Sequence, residues 1–322
     1  MAEPNQPSVD VVVPIYGSWE LTDDCLKHLA KQSLPHRVIV VDNCSPDDSC
    51  AQLRAHYPEV TLVEVGYNAG FAVACNAGVA AGSGEFVVLL NNDVNCEPDF
   101  LAELIKPFEG QQEVAAVAAL LLRPDTGCID SFGSFSDVTA ACYTRCQGWS
   151  VEQLEAQLSA LPELLGPCGA AAAYRRDAWL GVDGLDENIF MYGEEHDLNL
   201  RLRAAGYRVA DAVAARGVHI GGATAKKASA WQRDLGGFSR GYLLRRYNLF
   251  RKRVGLRAAA MELLVVVGDL VLSKDLAAAK GRLRGWRAAK GLSKHGLPDL
   301  SGYRSVTFRQ AVAFRRGDYG NG

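Results

Sequence analysis

The chain has 322 residues, 48% of them apolar, and a formal net charge of −3. That suits one large α/β domain with an appendage, or two domains, and the ordinary composition, free of repeats and biased segments, excludes a repeat or low-complexity protein. Its nine cysteines are scattered with no CxxC pair, only the CxxxC of Cys142 and Cys146, which excludes a paired-cysteine zinc framework and points to free thiols in a reducing cytosol.

The small net charge hides an asymmetry. Residues 1–239 hold 16 Lys+Arg against 32 Asp+Glu, a net of −16, whereas residues 240–322 hold 18 against 5, a net of +13. An acidic body thus carries a basic tail, and the two are expected as a domain over 1–239 and a helical extension over 240–322. The polar start MAEPNQPSVD carries no basic-plus-apolar signal segment, so a cytoplasmic location is expected.

In chain order, VDVVVPIY (9–16) reads as a buried strand ended by Pro14. SWELTDDCLKHLAKQSL follows with helical spacing at Leu21, Cys25, Leu26 and Leu29. HRVIVVDNCSPDDS is a second strand running into a turn-rich loop, Leu53 falls in the next helix, and VTLVEV (60–65) is a third strand. GYNAGFAVACNAGVAAGSGE (66–85) predicts a glycine-punctuated loop and a small-residue helix, and EFVVLLN a fourth strand. Strands alternating with helices predict a mainly parallel sheet flanked by helices, with the ligand crevice at the carboxyl ends of the strands. Asp42, Asn68 and Asp93 all fall just past such ends.

The second half is less regular. EVAAVAALLL (113–122) reads as a strand, and 128–149 as short strands or an insertion. Residues 168–187 predict a strand, a short helix and a glycine-containing turn, and GEEHDLNLRLRAAGYRVADA a helix stopped at Gly206, then a strand. Beyond 240 the pattern is helical. Its longest apolar run, LLVVV (263–267), is far short of the roughly 20 residues a membrane span needs, and is expected to pack on the body.

Several residues suggest chemistry. Asp93, in VVLLNNDVNCEPDF, serves either as a turn cap or as a ligand to a divalent ion. Mg2+ and Mn2+ take few protein oxygens and fill the remaining positions with phosphate and water. Asp42 makes an Asx turn or accepts from a nucleotide base, with Asn43 and Ser45 shaping its loop. Asn68, Gly70 and Asn76 surround a helix N-terminus, where backbone N–H groups suit a diphosphate. The segment is not GxGxxG, so a dinucleotide fold is poorly supported. Glu194, Glu195 and Asp197 open a helix, where acids complement the dipole by about 0.3–1 kcal/mol each. Glu195 shares the face of Leu198 and Leu202, and an inward acid at a helix start suits a general base. His219, before two glycines, is structural or a metal ligand.

VVVPIY, VVDNCSPDDS, NAGFAVACNAG, LLNND, GVDGLDENIFMYGEEHDLNLRLRAAGYR and VHIGGAT, in that order, resemble the inverting family 2 glycosyltransferases of the GT-A fold, bacterial rhamnosyltransferase-like members above all. The resemblance covers about residues 8–225, plus RRYNLFRKR (245–253). It implies a nucleoside diphosphate sugar donor, with a dTDP- or UDP-sugar favoured. Asp42 would contact the base in a pocket lined by Pro14 and Tyr16. Asn92 and Asp93 occupy the DxD-type place, so Asp93 would bind Mg2+ or Mn2+ through the diphosphate, with His219 nearby. Glu195 falls at the catalytic base, the pair reading Glu-Glu where the family usually has Glu-Asp, which leaves Glu194 as the other candidate. Trp179, Tyr192 and Glu194 would face the acceptor, though either aromatic serves equally well as core.

The tail segments RGYLLRRYNLFRKR and KGRLRGWRAAKGLSKHG interleave Arg and Lys with Leu, Trp and Tyr, as does a helix lying on an anionic membrane. A lipid-linked or cell-envelope glycan is the expected acceptor, reached peripherally from the inner face of the plasma membrane. The body carries no recognisable nucleic-acid module, so no nucleic-acid partner is expected. Two other readings stand beside this one. A nucleotidyltransferase would need an early glycine-rich triphosphate loop, and VPIYGSWEL is not one. The other is a non-catalytic nucleotide- or glycan-binding partner in a polysaccharide assembly complex.

Overall fold

The computed structural model describes residues 7–221, 229–300, 306–307 and 309–310, and statements of absence below refer to these. The first half alternates β1 (Val9–Ile15), α1 (Trp19–Leu29), β2 (Arg37–Asp42), α2 (Ser49–His56), β3 (Thr61–Glu64), α3 (Phe71–Ala81) and β4 (Phe86–Leu90). Then come β5 (Val94–Cys96), α4 (Phe100–Ile105), β6 (Val114–Leu122), β7 (Ile129–Ser131), β8 (Ser134–Ser136), β9 (Cys142–Thr144) and α5 (Val151–Gln157). The remainder is β10 (Ala171–Arg175), α6 (Arg176–Gly181), α7 (Glu194–Ala204), β11 (Arg208–His219), α8 (Ala230–Arg246), α9 (Gly255–Ser273) and α10 (Ala277–Ala288).

The main sheet runs β3-β2-β1-β4-β10-β6-β11-β5, with β7 pairing β6. β3, β2, β1 and β4 are parallel, as the strand–helix alternation predicts. β10 enters antiparallel between β4 and β6, and β5 runs antiparallel to the end of β11. β1, β4 and β10 bury both faces because helices cover the sheet on each side, so they read as nearly continuous apolar runs, interrupted by Asp10 in β1 and ended by Arg175 in β10. Side chains alternate across it: Val11, Val13 and Val88 join the core with α1 and α4, while Val12, Val87 and Leu89 join that with α3, α6 and α7. The small residues of α3 let it lie close to the sheet: a Cβ on Gly78 would sit 2.3 Å from a Val12 methyl.

Two features of this frame position the cleft. The last β1–β4 pair is Val12 with Leu89, so Pro14 lies where the two strands have parted and its missing N–H costs that pairing nothing. The antiparallel pairing of Val94 with His219 draws the end of β11 to the loop after β4.

The basic segment is not a loose appendage. Residue 240 falls inside α8, and Tyr242, Leu243, Leu244 and Tyr247 form a buried cluster with Ile189 and Leu200 of the body. Much of its charge is spent internally. Arg240 and Arg282 both hold Glu262, Arg284 pairs with Asp234, and Arg246 with Ser293 and Asp186. The expectation that 263–267 pack on the body needs correction for three of the five: Val265 and Val266 are half-buried, but Leu263, Leu264 and Val267 are exposed, because α9 turns its charged side inward.

Candidate active site

A cleft of about 740 Å³ opens at the carboxyl ends of β1 and β4. Pro14, Tyr16, Asn92, Asp93, Tyr192, Glu194, Glu195 and His219 all line it, so the chain brings eight of the residues singled out from sequence to one place.

One corner is built on Asp93. The residue is buried, and among the described residues the His219 ring is the group that meets its Oδ1. His219 Nε2 faces that oxygen at 3.3 Å as an ion pair, and Ile220 N donates to the Asp93 carbonyl at 2.9 Å. His219 Nδ1 bonds Asp130 Oδ2 at 2.7 Å, and Asp130 is held in turn by Arg123 Nε at 3.2 Å. Burial lowers the basicity of His219, but the carboxylates of Asp130 and Asp93 outweigh it and raise the imidazole to about 9. Burial likewise pushes Asp130 up, and His219 and Arg123 more than reverse it, leaving it below its ordinary value. A buried carboxylate facing an imidazole nitrogen whose other nitrogen is fixed by a second carboxylate is a donor set that fits a divalent ion once the imidazole gives up its Nε2 proton to it.

The opposite corner is built on α7. Tyr192 and Gly193 both take left-handed backbone (φ 69° and 102°), a turn that starts the helix at the cleft wall. Glu194 is buried with Oε2 unpartnered, while Glu195 is half-buried and accepts from Gly193 N at 3.3 Å. Burial pushes both carboxyls above the ordinary glutamate value. Glu194 moves further, because the Glu195 charge adds to desolvation, whereas backbone donors at Glu195 offset part of its burial. Asp197, the third acid of the run, is structural: Arg201 Nε reaches it at 2.7 Å and the Tyr247 hydroxyl donates to it at 2.8 Å, tying α7 to α8.

Other candidates sit differently. Asp42 does not line the cleft. Its Oδ1 accepts from Ser45 N at 3.0 Å, the Asx-turn alternative, and Ser45 Oγ in turn accepts from Gly17 N at 2.7 Å. Asn43, next in sequence, does line it. The donors ahead of α3 are already spent. Ala69 N bonds Asn43 Oδ1 at 2.8 Å, Gly70 N bonds Asn68 Oδ1 at 3.2 Å, and Phe71 N bonds the Phe190 carbonyl at 2.8 Å. Asn68 and Gly70 therefore shape the loop. A Cβ on Gly70 would lie 2.3 Å from Phe190 O, so only glycine allows that approach. Asn76 is turned away, clasping the backbone of Leu185 through both amide atoms. Trp179 is buried edge-on to Tyr174, away from the cleft. Asn92 donates to Thr22 Oγ1 at 3.0 Å.

The sequence reading missed Asp130, Arg123 and Gln232. Asp130 sits in the three-residue β7, too short to show a period, and its one signal is a charge between two buried residues.

A mixed α/β sheet with this cleft at its strand ends is the GT-A glycosyltransferase fold. A mannosyltransferase from Pyrobaculum calidifontis, solved with GDP-Man and Mn2+, superposes with TM-score 0.55 over 89% of this chain and 76% of its own, at 20% identity. GalNAc-T7, solved with UDP, GalNAc and Mn2+, superposes with TM-score 0.61 over 80% of this chain and 52% of its own, at 13% identity. The chain belongs to glycosyl transferase family 2, whose pattern residues 10–179 match. It is 28% identical over 193 residues, 54% of the chain, to the N-acetylglucosaminyl-diphospho-decaprenol L-rhamnosyltransferase of Mycobacterium tuberculosis, and it spans 62% of that relative. It is 26% identical to an N-acetylglucosaminyltransferase of a Rhizobium strain, over 65% of the chain and 48% of that relative. Thus the chain spans less than two thirds of either.

Proposed function

We propose that the protein transfers a sugar from a nucleoside diphosphate sugar, a dTDP- or UDP-sugar first, to a hydroxyl of a lipid-linked or cell-envelope glycan, with inversion of configuration. The observation that carries this reading is that one cleft holds the buried Asp93–His219 pair and, apart from it, the carboxylate of Glu195.

Pro14 and the half-exposed Tyr16 offer the nucleoside a flat wall, with Asn43 beside it. Asp93 and His219 would hold Mg2+ or Mn2+, with Asp130 fixing the imidazole. Bound there, a divalent ion would offset negative charge on the diphosphate leaving group. Glu195 takes the proton of the acceptor hydroxyl, and its raised basicity suits that task at neutral pH. The freed oxygen attacks the anomeric carbon from the face opposite the diphosphate. Tyr192 stands edge-on to Trp231 at 6.4 Å, and the pair offers the acceptor sugar an aromatic surface. Burial and the Glu195 charge push Glu194 toward its protonated form, which keeps a second negative charge away from the base.

The rhamnosyltransferase relative, named for a decaprenol-linked substrate, supports a lipid-linked acceptor, which this protein would meet at the inner face of the plasma membrane. The test is incubation of the purified chain with nucleotide sugars, Mn2+ and a polyprenyl-diphosphate-linked acceptor. The account expects a glycosylated lipid whose new anomeric centre is inverted relative to the donor. Retained configuration, or no turnover of any donor, contradicts it.

A further inference from the structure

α9 is built inside out. Leu256, Leu263, Leu264, Val267, Leu270 and Val271 recur at offsets of 7, 8, 11, 14 and 15, which places them on a single helix face. That face looks outward: Leu256 is 89% exposed, Leu263 64% and Val271 66%. The charge lies on the other side, where Glu262 accepts from Arg240 Nε at 2.6 Å and Arg282 Nε at 2.8 Å. A helix facing water would reverse this arrangement.

The rim of the stripe has one sign. Arg251, Lys252 and Arg253 are exposed just before α9, and Lys274 just after it. Every exposed described residue from Phe250 to Lys274 is apolar or basic. The stripe from Leu256 to Val271 runs about 22 Å along the helix. No described helix is long and apolar enough to cross a membrane. A second copy of the chain would set cations against cations at both ends of the stripe. An anionic lipid surface complements both the apolar face and its rim.

We propose that the outward face of α9 is the seat on which the protein docks to an anionic membrane, its apolar stripe lying in the headgroup–acyl boundary and Arg251, Lys252, Arg253 and Lys274 meeting lipid phosphates. This rests on the membrane-held acceptor proposed above and names the surface that reaches it. It also relocates the attraction: Arg240 of α8 and Arg282 and Arg284 of α10 are held by protein carboxylates, and the apolar stripe supplies what they do not.

The test is sedimentation of the full chain with phosphatidylcholine vesicles, with and without phosphatidylglycerol. The native chain is expected to sediment with the anionic vesicles. Leu263→Glu with Val267→Glu is expected to lower that binding at least about tenfold. Its melting curve should be unchanged, since both side chains are exposed. Lys252→Ala with Arg253→Ala should weaken binding at low salt and flatten its salt dependence. If the native chain binds and the double-glutamate variant binds equally, the α9 assignment falls while membrane attachment stands. If the native chain binds neither vesicle, both fall. A native dimer that the double-glutamate variant splits, with no vesicle binding, would give the face to a second copy and overturn the proposal.

Discussion

The two acidic corners of the cleft are built in opposite ways. At the Asp93 corner the buried carboxylates meet cations: His219 stands between Asp93 and Asp130, and Arg123 backs Asp130. At the α7 corner two glutamates stand side by side, and burial pushes both toward protonation. The first corner holds its carboxylates ionised by setting cations beside them; the second keeps a carboxylate short of cations and therefore basic. One cleft thus holds acids whose environments drive them apart, the arrangement that separates binding from proton transfer.

The largest effect should come from the basic corner. Glu195→Gln is expected to lower turnover by about 10² to 10⁴ with donor binding kept. Steady-state rates beside calorimetry read both, and if Glu194→Gln is the inactive variant instead, the two glutamates exchange roles. In the native chain, turnover should fall with acidity along a limb lying above the ordinary glutamate range, since burial raises Glu195. A smaller effect is expected at the charged corner. Asp130→Asn frees the His219 ring, and metal affinity should drop about 10- to 100-fold, read as a weaker Mn2+ dependence of nucleotide binding.

The smallest effect concerns stability. The folded chain keeps Glu194 protonated to higher pH than the unfolded chain does, so its contribution is full below the ordinary glutamate value and is lost as pH rises through the raised one. Glu194→Gln removes that loss. Its melting temperature should therefore exceed the native one at neutral pH, the difference closing in acid. A variant that melts lower at neutral pH would mean that Glu194 is ionised and paired in the fold.

Much of the cleft was legible because its residues sit where periodicity breaks. Asp93 follows a strand buried on both faces, and Glu195 opens a helix in phase with Leu198 and Leu202. What escaped depends on contacts distant in sequence. Asp130 reaches His219 across 89 residues through a strand of three. Asn76 and Trp179 share their type and spacing with binding residues, and only the packing of Leu185 and Tyr174 shows them turned away. The tail shows the same limit. Its charge was countable, but not that Glu262 and Asp234 consume part of it, nor that α9 turns its apolar side out.

The central claim is that the Asp93 corner binds a nucleoside diphosphate through a divalent ion. Calorimetry of UDP, dTDP and GDP with and without Mn2+, on the native chain and on Asp93→Ala, tests it most directly. The account predicts Mn2+-dependent binding of one diphosphate by the native chain, none by a correctly melting Asp93→Ala. Equal affinity of the two proteins in Mn2+ would contradict it.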